Sequence, residues 1–139
     1  MKKVVSALLL LVVGIVGAII WWYWPSEVQP VVPKIDEIQE VRVTQPDDTV
    51  IPLDMEEKII SFVYFAKDSR KTRQKSVNDQ PNKELMATQV ELLLKNGSSK
   101  MFYIYQDGFF KKTYLEIPYD GIYEMEYSLS DWLSGKLDY

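Results

Sequence analysis

The chain has 139 residues, a formal net charge of −4, no cysteine and no histidine. That length holds one small domain and an appendage. The two zero counts exclude disulfides, thiolate nucleophiles, zinc–thiolate and iron–sulfur sites, imidazole metal ligands and any triad built on histidine, and the acidic balance speaks against a nucleic-acid partner.

Lys2 and Lys3 precede an uncharged run of 21 residues, 4–24. As a helix it would be roughly 31 Å long, the thickness of a hydrocarbon core. A helix satisfies every backbone group inside lipid, so the run reads as a membrane span. The lysine pair marks the cytoplasmic end, and Trp21, Trp22 and Trp24 mark the far interface. The rest of the chain is then expected outside the cytoplasm, on a single-pass cell-membrane anchor. A cleaved signal peptide is the rival reading, with Val16-Gly17-Ala18 as an acceptable site. Cleavage there would leave two isoleucines and four aromatics at a soluble terminus, so the retained anchor is favoured.

Residues 25–33 carry three prolines and predict a stiff extended spacer. The globular part is expected over 34–139. Residues 38–43 read as a strand, 44–48 as a turn and 49–52 as a short second strand. Asp54 is placed to cap a helix, with Glu57 three residues on. Met55, Ile59, Phe62, Val63 and Ala66 make its apolar stripe. Residues 72–83 predict a loop. Met86, Thr88, Val90, Leu92 and Leu94 alternate as one buried strand face. Asn96-Gly97 is hairpin chemistry, in which both residues accept positive φ. Residues 101–105 form the return strand. Asp107-Gly108 repeats the turn signal, and 109–117 form a third strand. Pro118 to Gly121 break the chain, and 129–137 read as a short helix. The expected fold is α+β: a three-strand meander, one or two N-terminal strands, one long helix and one short one.

Two segments stand out. Ser76-Val77-Asn78-Asp79-Gln80-Pro81-Asn82 has the form S-x-N-D-x-P-N, and residues 114–123 have the form Y-x-E-x-P-Y-x-G-I-Y. Together they resemble a family of uncharacterised small extracytoplasmic domains of Gram-positive bacteria, lipoproteins or proteins with one N-terminal anchor. The resemblance runs from about Val41 to Trp132, and this chain departs from the lipoprotein members in having no anchor cysteine. It implies a location and a shared fold, and no activity.

Each candidate site also has a plainer structural role. Asn78, Asp79 and Asn82 could read a partner, since function concentrates on loops; equally, they could cap turns around Pro81. Calcium would need more converging oxygens than this loop offers. Lys67, Arg70, Lys71, Arg73 and Lys75 put five cations against one acid in nine positions. That patch could steer an anionic partner such as teichoic acid or lipid headgroups. The favoured reading is plainer: a solvated helix end in favourable contact with its dipole. Tyr105, Tyr114, Tyr119 and Tyr123, with Asp120, could form an interface, although strand tyrosines are more often core. No phosphate loop, nucleophile elbow or sugar-sized carboxylate pair is recognisable.

The expectation is a non-catalytic binding module without a cofactor, tethered by its N-terminal helix. Its partner is expected to be a protein of the cell envelope. An inhibitor or immunity protein, or an accessory sensor of a polymer or small ligand, are the alternatives.

Overall fold

The computed structural model describes residues 2–24, 26–53, 56–76, 81, 86–108 and 111–126. The apolar N-terminal run forms one helix, α1, Lys2–Tyr23. It is long and apolar enough to cross a membrane, and residues 4–23 are all exposed. Trp24 lies just beyond the last helical turn.

The proline-rich segment is not a free spacer. The Lys71 carbonyl accepts the Ser26 N–H at 2.7 Å, and the Lys71 N–H donates to the Val28 carbonyl at 3.0 Å. Pro30 and Pro33 are buried, and Val32 packs against the core. Proline suits such a segment, because its fixed φ costs little entropy to order and it adds no donor needing a partner. A single 3₁₀ turn at Ile35–Glu37 follows, closed when the Glu37 carboxylate accepts the Lys34 N–H.

Strands β1 (Ile38–Thr44) and β2 (Val50–Leu53) form a hairpin. Helix α2 (Glu56–Asp68) places two acids in its first turn and Lys67 in its last, in agreement with the helix dipole. Ser69 ends it, donating both its N–H and its hydroxyl to the Ala66 carbonyl. The chain then enters a two-residue strand, β3 (Arg70–Lys71). Strands β4 (Thr88–Leu94), β5 (Ser99–Gln106), β6 (Thr113–Ile117) and β7 (Gly121–Met125) make an antiparallel meander. The sheet order is β2-β1-β4-β5-β6-β7-β3, and every pair is antiparallel.

This connectivity gives the two faces different covers. β2 and β3 lie at opposite edges, so α2, which joins them, must cross one face. Phe62, Val63 and Ala66 are buried there against Val41, Val43, Val90, Leu92, Phe102, Ile104 and Leu115. Phe62 and Phe102 meet edge to face, with ring centres 5.6 Å apart. Beyond β3 the chain reaches the other face at Ser76, whose hydroxyl bonds to Glu116.

The α+β class stands as expected, and β4 alternates as read, from buried Thr88 to buried Leu94. The sheet gains two strands not expected from the sequence, β3 and β7. β6 begins at Thr113 rather than 109, because Lys111 takes φ +54° and turns the chain. At the β4–β5 turn Gly97 takes φ +83° and Asn96 does not share it. The Asn96 side chain instead accepts from the Ser98 N–H and hydroxyl. The cap at Asp54, the stripe residue Met55 and the short helix over 129–137 lie outside the described residues.

Phe62→Ala should cost about 3–5 kcal/mol, a large share of the 5–15 kcal/mol (roughly) typical of a domain. Urea titration of the full chain in mild detergent, followed by the near-ultraviolet tyrosine signal, checks this. A loss below about 1 kcal/mol would mean that the Phe62–Phe102 contact does not organise the core.

Candidate functional site

The register fixes which side chains share the face away from α2. Tyr103 pairs with Glu116, Tyr105 with Tyr114, Glu116 with Ile122 and Tyr114 with Glu124. A strand alternates its faces, so these residues form one surface of aromatics and carboxylates. Tyr103, Tyr105, Glu116 and Ile122 are buried on it.

Burying a carboxylate requires donors. Glu116 has two. The Ser76 hydroxyl donates to its Oε1 at 2.6 Å, from 40 residues away in sequence. The Tyr105 hydroxyl also bonds to it. Burial first, then the Glu116 charge, pushes the Tyr105 hydroxyl well above the ordinary tyrosine range. Ser76 and Glu116 belong to the two segments singled out in the sequence, so this bond ties one motif to the other. It fastens the loop after β3 onto the sheet. Neither residue was named as a site residue from the sequence, because only the fold brings them together. Asn78, Asp79 and Asn82, which follow Ser76, lie outside the described residues.

The second motif forms the β6–β7 hairpin, and structure accounts for most of its residues. Asp120 accepts from the Tyr123 hydroxyl at 2.8 Å and from the Lys71 ammonium at 3.3 Å. Tyr123 is fully buried, and burial, then the bond to Asp120, raises its hydroxyl pKa strongly. Gly121 leaves room for the Lys71 stem: a Cβ there would sit 2.7 Å from Lys71 Cε. Tyr114 is half-buried, tilted against Tyr105 at 5.9 Å between ring centres. Its pKa is raised by burial and by the charge of Glu124. Tyr119 is 67% exposed and takes φ +62°, a conformation that costs a side-chain-bearing residue roughly 1–2 kcal/mol.

The five cations do not form one solvated helix end. Lys67 is in the last turn of α2, Arg70 and Lys71 are in β3, and Arg73 and Lys75 follow it. Lys71 is built into the sheet edge, and its ammonium also lies 5.5 Å from the Tyr123 ring centre. The Arg73 guanidinium stacks 3.4 Å from the centre of the Trp21 ring and 6.0 Å from that of Trp22. The patch thus adjoins the end of α1. A separate cleft beneath the start of α2, lined by Ile35, Ile38, Glu56, Ile59 and Lys95, shares no residue with either motif.

Residues 26–124 match the model of a protein family described as "Domain of unknown function (DUF5300)", under the family name DUF5301. The chain belongs to that family. The match begins at Ser26, the first residue bonded to β3, which agrees with the proline-rich segment being part of the domain. No curated protein matches the chain. Among solved structures it is similar to one titled "NMR structure of the protein from Ruminococcus gnavus". The two are 24% identical with a TM-score of 0.63, over 76% of this chain and 99% of the other. That likeness is one of fold.

Two outcomes test the buried cluster. Ser76→Ala should cost about 1–3 kcal/mol, the penalty for taking a donor from a buried acceptor, and should speed amide exchange next to residue 76. Stability should also fall as pH rises above about 10. A tyrosine held protonated by the fold contributes stability that is complete below its unfolded pKa and is lost above it. Tyr105→Phe should make the alkaline fall shallower in a pH series of urea midpoints. An unchanged slope would mean that Tyr105 ionises as freely in the fold as outside it.

Proposed function

We propose that the protein is a non-catalytic binding module, held outside the cytoplasm by α1 as a single-pass membrane anchor. Its partner is a protein of the cell envelope. The contact surface is the β6–β7 turn together with the loop fastened by Ser76. The observation that carries this reading is Tyr119. Within the second motif, Glu116, Asp120, Gly121 and Tyr123 are all engaged inside the domain. Tyr119 is 67% exposed and presents a large aromatic ring to solvent at a positive φ. Aromatic side chains held rigidly at a surface are the usual anchors of protein interfaces. Left-handed backbone at a side-chain-bearing residue clusters at functional sites.

The chemistry supports binding rather than turnover. The Ser76 hydroxyl is buried and donates to a carboxylate that also receives Tyr105. Such an arrangement fastens a loop; a nucleophile needs an open approach for substrate. The signal-peptide reading would release the same domain from the membrane and leave the contact surface unchanged.

The missing cysteines make the test direct. Asp79→Cys would be the only thiol in the chain. In intact cells, a membrane-impermeant, thiol-directed photo-crosslinker should label it and give one dominant protein adduct. Tyr119→Ala in that background should reduce the adduct at least about fivefold, the effect of a residue worth more than 1 kcal/mol. Labelling only after lysis would overturn the outside placement. An adduct indifferent to Tyr119 would remove this surface from consideration.

A further inference from the structure

We infer that the β3 edge, with Lys67, Arg70, Arg73 and Lys75, is a docking surface for the anionic phospholipid headgroups of the bilayer that α1 enters. The inference rests on α1 being a retained anchor and adds to the proposed function a second contact, one that holds the domain against the membrane.

The first argument is reach. α1 ends at Tyr23, and the Ser26 N–H is already bonded to the Lys71 carbonyl. Three residues of extended chain cover at most about 11 Å. No flexible tether separates the helix from the sheet, so the β3 edge must lie within about a headgroup layer of the point where α1 leaves the hydrocarbon. The second argument is the contact between Arg73 and Trp21. Tryptophan settles at the membrane–water boundary, and the guanidinium stacked on it at 3.4 Å is placed at headgroup depth. Arginine there can stack on an indole and still offer donors to a phosphate.

The third argument is charge. The whole chain carries −4, yet this edge is basic. Among the described residues Lys71 is the one member of the five joined to a carboxylate, that of Asp120. Lys67, Arg70, Arg73 and Lys75 are in no described ion pair. Lys67, Arg70 and Lys75 are exposed and Arg73 half-exposed. Glu27 and Asp68 are exposed acids close to them in the chain. Glu124, opposite Arg70 on β7, is paired with Lys112, and Asp120 with Lys71, so four cations stand against two acids and the edge is net positive. Each basic residue near an anionic membrane surface strengthens attachment about fivefold.

The test uses the full chain in vesicles, with a fluorophore on Gln74→Cys. Gln74 is exposed, and its backbone N–H, bonded to the Thr72 hydroxyl, is untouched by the substitution. The vesicles contain phosphatidylcholine, alone or with phosphatidylglycerol, and a headgroup-linked quencher. Quenching should be severalfold greater with phosphatidylglycerol, should fall at high salt, and should lose its lipid dependence in Lys67→Glu/Arg70→Glu/Lys75→Glu. Equal quenching in both lipids, with the protein still floating with the vesicles, would overturn the inference and leave the anchor intact. Failure to float after carbonate extraction would overturn the anchor and the inference with it. A fluorescence change on adding soluble poly(glycerol phosphate) to phosphatidylcholine vesicles, without any response to phosphatidylglycerol, would assign the edge to a soluble polyanion instead.

Discussion

Lys71 ties together parts of the chain that sequence separates widely. Its backbone joins residues 26–28 on one side and pairs with Tyr123 of β7 on the other. Its side chain passes over Gly121 to Asp120, which also holds the Tyr123 hydroxyl. The exposed ion pair contributes little by itself. The backbone bonds matter more, because they close a sheet edge that would otherwise present open donors and acceptors. They also set the course of the chain on both sides of β3. α2 must cross one face to reach it, and Ser76, five residues beyond it, bonds to Glu116 on the other. The opposite edge, β2, carries Pro52, which has no N–H to offer a further strand.

The two faces divide the work. The α2 face is an apolar core, closed by Phe62, Val63 and Ala66 against side chains of β1, β2, β4, β5, β6 and β7. The other face contains a buried carboxylate and a row of tyrosines, and polar groups inside a domain are satisfied by directional bonds. Ser76 and Tyr105 supply those to Glu116. Apolar packing tolerates repacking, whereas a hydrogen-bonded carboxylate accepts few alternatives. Ser76 is therefore fixed to the sheet by a directional polar bond.

Local signals in the sequence proved sound where one period or one side chain decides the structure. The alternation from Thr88 to Leu94, the stripe from Ile59 to Ala66 and the apolar run of α1 were all legible, because each element's burial follows from its own spacing. β3 was not legible. Two residues carry no period, and Arg70 and Lys71 continue the charge pattern of a helix end. Their strand conformation comes from β7 and residues 26–28. β7 was hidden for a related reason: Gly121 and Glu124 interrupt the apolar residues, and the room that Gly121 gives Lys71 is a tertiary demand. Residues 26–33 lie in no helix or strand, as their prolines suggest. That they lie along the domain's edge depended on the carbonyl and amide of Lys71.

The sequence alone determined that the chain has an apolar helix long enough to cross a membrane, an α+β domain, and no chemistry based on thiols or imidazoles. Composition and short-range periodicity suffice for such statements. The tertiary structure decided the roles of individual residues. It turned Glu116 and Ser76 into a buried pair, took Lys71 and Tyr123 out of the candidate surface, left Tyr119 in solvent and set Arg73 on Trp21. Each of these depends on contacts between segments tens of residues apart. A side chain's chemistry is written in the sequence, but its neighbours are chosen by the order in which the strands pair.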